Sequence, residues 1–272
     1  MKKLLLASAA MSLLIFGAPA LAADMPLKGP PVGFVPVFTW TSCYAGVHGG
    51  GGWARKSVTD PVALVQDQLN ASLGLGLGPT FPPTTIDLRP NGYLVGGQFG
   101  CDYQSVGSPV VVGFEGAVSG GNINGQTFVG PPLGDPGDQA LVFARMDFIA
   151  SGTVRLGYAW DGLMLYVKGG GAGTSDKYSV SGVFMPISLP PGTPYNFQGL
   201  DVRIGWTLGA GIEWAFWENW SVKVEYDYYD FAHKSVLMSD SNLGLSAPID
   251  IRQTVQTVKV GLNFHMWSLF GD

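Results

Sequence analysis

The strongest constraint in this chain is a period of two in which one face is apolar and the other is glycine or charge. In the stretch from Trp206 to Trp214, residues Trp206, Leu208, Ala210, Ile212 and Trp214 alternate with Thr207, Gly209, Gly211 and Glu213. Trp220, Val222, Val224, Tyr226 and Tyr228 alternate with Ser221, Lys223, Glu225 and Asp227, and Val258, Val260, Leu262 and Phe264 with Thr257, Lys259, Gly261 and Asn263. Val154, Leu156 and Tyr158 likewise alternate with Thr153, Arg155 and Gly157. A two-residue period is the signature of a β-strand. In a soluble sandwich the polar alternate faces water and glycine is disfavoured there. A narrow, crowded lumen has the opposite need: glycine lets the sheet curve and leaves room for a few long charged side chains.

Eight such segments are expected, near 41–53, 92–104, 109–119, 147–159, 163–173, 203–216, 220–231 and 253–264. Most reach the roughly 9 to 11 residues that a tilted strand needs to cross a bilayer. Long connections follow the first, third, fifth and seventh (120–146, 174–202 and 232–252 among them). Short ones fall around Gly107, at Trp160 to Gly162 and at Trp217 to Asn219. The pattern predicts an all-β fold, an eight-stranded antiparallel transmembrane β-barrel with four long extracellular loops and short periplasmic turns. Trp53, Tyr103, Tyr158, Trp160, Trp206, Trp214, Trp220 and Tyr228 suit aromatic girdles near strand ends.

The N-terminus fits export. Lys2 and Lys3 precede an apolar run from Leu4 to Gly17, and Ala20 and Ala22 have the spacing that signal peptidase reads, so residues 1–22 are expected to be a cleaved signal peptide. Residues 23–40 form a Pro-rich periplasmic arm, 41–264 the barrel and 265–272 a C-terminal extension. Loss of Lys2 and Lys3 lowers the Lys+Arg count from 15 to 13 against 20 acidic residues, taking the net charge from −5 to −7, which argues against nucleic acid as a partner. Only 13% of residues are charged and 40 are glycine, yet nothing after the signal reads as a membrane helix. A barrel with one lipid-facing wall accounts for such apolarity. So would a secreted soluble β-protein with a large core.

Seven stretches carry a family likeness: Cys43 to Gly50 (CYAGVHGG), Gly96 to Gln104 (GGQFGCDYQ), Gly113 to Gly116 (GFEG), Thr153 to Tyr158 (TVRLGY), Gly205 to Glu213 (GWTLGAGIE), Lys223 to Tyr226 (KVEY) and Val258 to Phe264 (VKVGLNF). In this order they resemble the opacity-type, porin-like outer-membrane β-barrel surface-antigen family of alphaproteobacteria. The resemblance covers the strand segments and not the loops. It implies outer-membrane lipid and lipopolysaccharide as surroundings, and the barrel-assembly machinery as a partner that reads a terminal aromatic. Here the aromatic is Phe264 or Phe270, because eight residues follow Phe264. Cys43 and Cys101 stand where the family usually has aromatics.

Strand parity places Asp102, Glu115, Arg155, Lys168, Glu213, Lys223, Glu225 and Lys259 in the lumen, four acidic and four basic. Charges there are costly to desolvate singly and are expected to pair across the barrel. Cys43 and Cys101 fall on the lipid face of neighbouring strands, either as a cross-strand disulfide or as two thiols. His48, His233 and His265 are scattered, with no Ser-His-acid or metal-ligand spacing. The glycine runs at 49–52 and 169–171 lack the Lys-Ser/Thr of a phosphate loop. No cofactor is implied, and an unknown extracellular ligand would meet the loops, which hold apolar pieces such as Val62 to Leu69 and Val183 to Pro194. The expected function is therefore non-enzymatic: a structural, surface-exposed integral outer-membrane barrel with a largely plugged, charge-paired lumen. The alternative is a narrow passive-diffusion porin for small solutes.

Overall fold

The computed structural model describes residues 39–59, 74, 85–129, 140–184 and 193–266. Among them there is no helix. The strands are β1 (Ser42–Thr59), β2 (Thr85–Leu88), β3 (Asn91–Gln104), β4 (Val110–Val129), β5 (Ala140–Trp160), β6 (Leu163–Phe184), β7 (Thr193–Trp217), β8 (Trp220–Asp240) and β9 (Leu245–His265). β1 pairs antiparallel with both β2 and β3, each later strand pairs antiparallel with the next, and β1 also pairs with β9, which closes the sheet on itself.

The ring has eight walls because β2 is the outer end of β3. The β1 register is unchanged across the break, with Lys56 opposite Leu88 on one side and Trp53 opposite Asn91 on the other. Pro90 lies between and has no N–H to give to the ladder. Its carbonyl still accepts from the Ala54 N–H at 2.8 Å.

The three tight connections fall where expected. Gly107 at φ 76° and Asp161 at φ 51° supply the left-handed residues of two of them, and Glu218 and Asn219 form the third. At the opposite end the strands outrun the expected segments. Most of 174–202 and 232–252, and much of 120–146, belong to strands rather than loops. β7 is 25 residues long. The connection between β8 and β9 shrinks to Ser241–Gly244, in which Asp240 Oδ1 accepts from the backbone N–H of Asn242 at 2.8 Å and Leu243 at 3.2 Å. His233, expected to open a loop, lies inside β8, and His265 closes β9. Both ends of the Val183 to Pro194 piece are strand. The signal region, most of the arm, Val62 to Leu69 and Phe270 lie outside the described residues.

The physical reason for the extra length is that the strands reverse their polarity along the axis. On the turn side, outward positions are apolar or glycine and inward ones charged: Val154, Leu156 and Tyr158 point out while Thr153 and Arg155 are buried. On the loop side many outward positions become polar, as at Arg55, Ser57, Lys177, Ser179 and Gln198, although Leu200, Val202, Ile204 and Leu237 stay apolar and exposed. The inward ones become an ordinary hydrophobic core, built from Val58, Leu88, Val142, Ala144, Val180, Phe197, Val236, Met238, Ile249 and Ile251. The switch occurs near Trp53, Tyr93, Phe148, Trp206 and Tyr228, with Trp206 and Tyr228 in ring contact at 5.7 Å. A second aromatic group lies at the turn side, where Trp220 meets Phe264 edge-on at 5.1 Å and Tyr158 meets Trp160 at 4.6 Å. The wall between the two groups is the apolar band of a membrane barrel.

Apart from a shift between Ala215 and Trp217 at the turn side, the irregularities sit at the loop-side border. Bulges shift the register between Gly120 and Ile123 and between Met146 and Phe148. The β8–β9 register shifts between Asp230 and His233, around Ala232 at φ 54°, and the β7–β8 ladder is interrupted between Gln198 and Trp206. A bulge of this kind bends its strand and re-aims the side chains beyond it.

This boundary yields a paired expectation. Val154 and Leu237 are similarly exposed, at 63% and 66%, but on opposite sides of the switch. Val154→Arg, in the apolar band, is expected to cost about 2 to 4 kcal/mol in reversible unfolding from lipid vesicles. Leu237→Arg, beyond the band, is expected to cost no more than about 0.5 kcal/mol. Equal losses would put the band elsewhere.

Candidate functional site: the barrel interior

All eight charges assigned to the lumen by parity are buried inside the ring. They converge from β3 to β9 into one cluster. Glu115 on β4 meets Lys168 on β6 at 3.1 Å and Lys223 on β8 at 2.6 Å. Glu225 meets Lys168 at 2.7 Å, Lys223 at 3.2 Å and Lys259 at 3.0 Å. Arg155 reaches Glu213 at 2.6 Å and Asp102 at 3.4 Å. Two tyrosines bind the set together: Tyr44 donates to Glu115 at 2.8 Å and Tyr166 to Glu225 at 2.8 Å. The Arg155 guanidinium also stacks over the Tyr166 ring at 4.1 Å and donates to the Tyr44 oxygen.

Glycine makes room for this packing at defined points. A Cβ on Gly113 would collide with an Asp102 carboxylate oxygen, and one on Gly211 with the Tyr166 ring. These inward glycines are seats for the neighbouring charge or ring, so any larger residue would have to displace it.

Asp227 was absent from the expected set although its parity with Glu225 placed it there. It is fully buried and bridges Lys259 at 2.6 Å and Lys168 at 3.3 Å. With it the cluster holds five carboxylates against four cations. A second charged tier, also missed, lies farther toward the loop side. Lys56 pairs with Asp176 at 2.7 Å and donates to Tyr178 at 3.2 Å, and Tyr178 donates to Gln253 at 2.9 Å. Arg203 pairs with Asp201 and donates to the Ile251 carbonyl at 2.8 Å. Lys56, Asp176, Tyr178 and Asp201 lie in or beside segments read as connections, whereas Arg203 and Gln253 open expected strands and share the parity of their lumenal residues.

The interior is thus stacked in alternating tiers. At the turn side Trp40 is fully buried against Val111, Ala159, Met164 and Tyr166, with its indole N–H on the Asp161 carbonyl at 3.1 Å. The charge cluster comes next. A tier of Leu94, Ile123, Met146, Ile149, Tyr229, Phe231 and Val255 covers it, then come the Lys56 and Arg203 pairs, and the loop-side hydrophobic core closes the top. Eight strands enclose a space just wide enough for side chains.

The structure also brings together a group that sequence spacing did not reveal. His265 Nε2 is 2.8 Å from Ser221 Oγ and its Nδ1 is 2.9 Å from Ser42 Oγ, while Ser221 donates to Glu213 at 2.6 Å. In a nucleophilic triad the acid holds the far nitrogen of the histidine. Here the acid holds the serine instead, and Ser221 is fully buried. His48 is likewise a packing residue, between Gln98 at 2.5 Å and Ser119 at 2.8 Å. Cys43 and Cys101 are directly opposite on β1 and β3, on the outer face, and their sulfurs are bonded.

This architecture has known relatives. A family model described as "Outer membrane protein beta-barrel domain" matches residues 8–264. The chain belongs to that family. It is similar to the 31 kDa outer-membrane immunogenic protein of Brucella melitensis, with 26% identity over 268 residues, 97% of this chain and 99% of the relative. It is also similar to the 25 kDa outer-membrane immunogenic protein of Brucella canis, with 25% identity over 97% of this chain and 98% of the relative. Among solved structures, OprG of Pseudomonas aeruginosa matches with a TM-score of 0.45 at 11% identity, covering 84% of this chain and 99% of that one. The outer-membrane protease OmpT of Escherichia coli matches with 0.43 at 12%, covering 84% and 98%. The protein is an outer-membrane β-barrel related to immunogenic surface proteins.

The cluster predicts a specific mutational pattern. Arg155→Ala leaves Glu213 and Asp102 buried without their cation and is expected to cost about 3 to 5 kcal/mol in unfolding free energy. Combining Arg155→Ala with Glu213→Gln is expected to recover part of that loss, because the Glu213 charge is removed together with its cation while Asp102 still lacks one. A double-mutant cycle measures the coupling; strictly additive losses would show that the two side chains do not interact.

Proposed function

We propose that this protein is a structural, surface-exposed outer-membrane barrel whose interior is a plug rather than a path. The observation that carries this reading is the tiering of the lumen. An ion travelling along the axis would have to cross apolar tiers and displace charges that already hold one another at 2.6 to 3.3 Å. Desolvating it in the apolar tiers costs several kcal/mol, and breaking the pairs adds to that cost. The buried Ser221, His265 and Glu213 support a non-enzymatic reading, since the acid engages the serine and not the far nitrogen of the histidine.

Phe264 supports a partner during biogenesis. It is outward, 40% exposed, and packs on Trp220 at the turn-side end of the last wall, which suits an aromatic read by the barrel-assembly machinery.

Planar-bilayer recording tests the plug directly. Purified protein is expected to give no steady conductance above the lipid baseline. Discrete, long-lived steps of porin size would instead support the narrow diffusion pore.

A further inference from the structure

Twelve Lys and Arg residues lie among the described residues, and they divide cleanly. Six are buried in the lumen: Lys56, Arg155, Lys168, Arg203, Lys223 and Lys259. The other six, Arg55, Arg89, Arg145, Lys177, Lys234 and Arg252, are exposed. Every exposed one stands on the loop side of the aromatic switch, and none stands in the apolar band or at the turn side. Three of these have acidic partners. Asp147 holds Arg145 at 2.5 Å and Lys177 at 2.8 Å, and Asp201 holds Lys234 at 2.7 Å.

The remaining three, Arg55, Arg89 and Arg252, form no ion pair with any described residue, and the register gathers them. Arg55 is opposite Thr254 and Arg252 is opposite Ser57, so the two arginines are diagonal neighbours across β1 and β9. The unbroken register between Lys56–Leu88 and Trp53–Asn91 sets Arg89 across from Arg55 on the other side of β1. Like charges directly opposite across a ladder repel and are destabilising. Three adjacent walls thus carry a cluster of arginines that no described carboxylate holds in an ion pair. Beside it is a cleft of about 390 Å³ lined by Arg55, Ser57, Asp87, Tyr228, Arg252 and Thr254. It offers hydroxyl donors together with guanidinium forks. Asp87 lines the cleft, and Asp230 and Asp250 border it on the same outward face of β8 and β9, so the site is distinguished by its unpaired guanidinium groups and not by net charge.

We infer that this patch is a binding site for a phosphate group of lipopolysaccharide in the outer leaflet. Arg55 is one outward position beyond Trp53, and Arg89 is two beyond Tyr93, which puts the guanidinium groups at the headgroup level of the lipid that surrounds the band. None of the three guanidinium groups is held in an ion pair by a described carboxylate, so each is free to meet an anion that carries several acceptor oxygens. Arginine is the side chain that meets phosphate through two parallel hydrogen bonds. The acyl chains would lie along the apolar wall below, so phosphate and lipid are recognised together. This inference rests on outer-membrane placement and not on the plug.

The test uses the full chain in detergent, titrated by native mass spectrometry with bisphosphoryl lipid A, dephosphorylated lipid A or inorganic phosphate. The wild type is expected to retain the bisphosphoryl lipid about tenfold more tightly than the dephosphorylated one, as charge-assisted bidentate bonds would give. Arg55→Gln, Arg89→Gln and Arg252→Gln together should erase that preference, while Arg145→Gln should leave it. Heat-modifiable migration on a denaturing gel reports that each variant is folded, and the wild-type comparison stands even if the triple variant is not. Equal retention of the two lipids by the wild type would overturn the proposal. So would an unchanged preference in a folded triple variant, or retention of inorganic phosphate as tight as that of the lipid.

Discussion

Closure of β1 onto β9 is the constraint on which the rest of the structure depends. An open sheet of these strands would present unpaired N–H and C=O groups along two edges, which hydrocarbon cannot satisfy. The continuous registers from Tyr44–His265 to Thr59–Asp250 remove both edges. Closing with eight walls also fixes the interior width, so the inward side chains have to fill the space and satisfy one another. The cluster around Glu115, Glu225 and Arg155 is the result: long side chains that reach across the axis, seated over glycines such as Gly113 and Gly211 that leave them space.

The same wall serves two solvents. In the apolar band the outside must be hydrocarbon-like, so the polar residues that an alternating strand carries can only go inside. Beyond the band the outside is aqueous, and the alternation reverses: Val58, Phe197 and Ile251 go in while Arg55, Gln198 and Arg252 come out. A strand cannot reverse its faces by continuing straight unless its composition changes in step. β1 and β9 do it by composition, β7 reverses only near Gln198 after keeping Ile204, Val202 and Leu200 outward, and β4, β5 and β8 also use irregularities, at Gly120–Ile123, Met146–Phe148 and Ala232. Pro90 serves the same border on the β2–β3 wall, where it interrupts the ladder without changing the register.

This reversal explains what was legible in the sequence. On the turn side, apolar residues alternate with glycine or charge, as from Trp206 to Trp214, and the contrast reveals both the strand and its lumenal face. On the loop side the contrast fades. In Leu141, Val142, Phe143 and Ala144 both faces are apolar, and from Ser246 to Asp250 serine, proline and aspartate imitate a turn although Ile249 and Ile251 point into a core. Strands there read as loops, and Lys56, Asp176 and Asp201 were lost with them. Asp227 was legible by parity alone. The Cys43–Cys101 bond needed the β1–β3 register, and strand periodicity does not report register across a long connection.

The two charged tiers differ in what they do for the fold. The lower one lies within the membrane band, where nearly every polar group must find its partner in the protein, and it is heavily cross-linked: Lys168 alone reaches Glu115, Glu225 and Asp227. The upper one lies in the part of the barrel whose outside is wet, and its two ion pairs touch each other only through the Tyr178 ring. An isolated buried pair contributes little net stability, and apolar side chains of similar shape often replace it without loss. A network of several partners cannot be replaced one residue at a time, since each removal leaves the others unpaired. The cluster around Glu115 therefore constrains which side chains can occupy the lumen far more tightly than the Lys56–Asp176 pair does, although both are equally hidden from solvent.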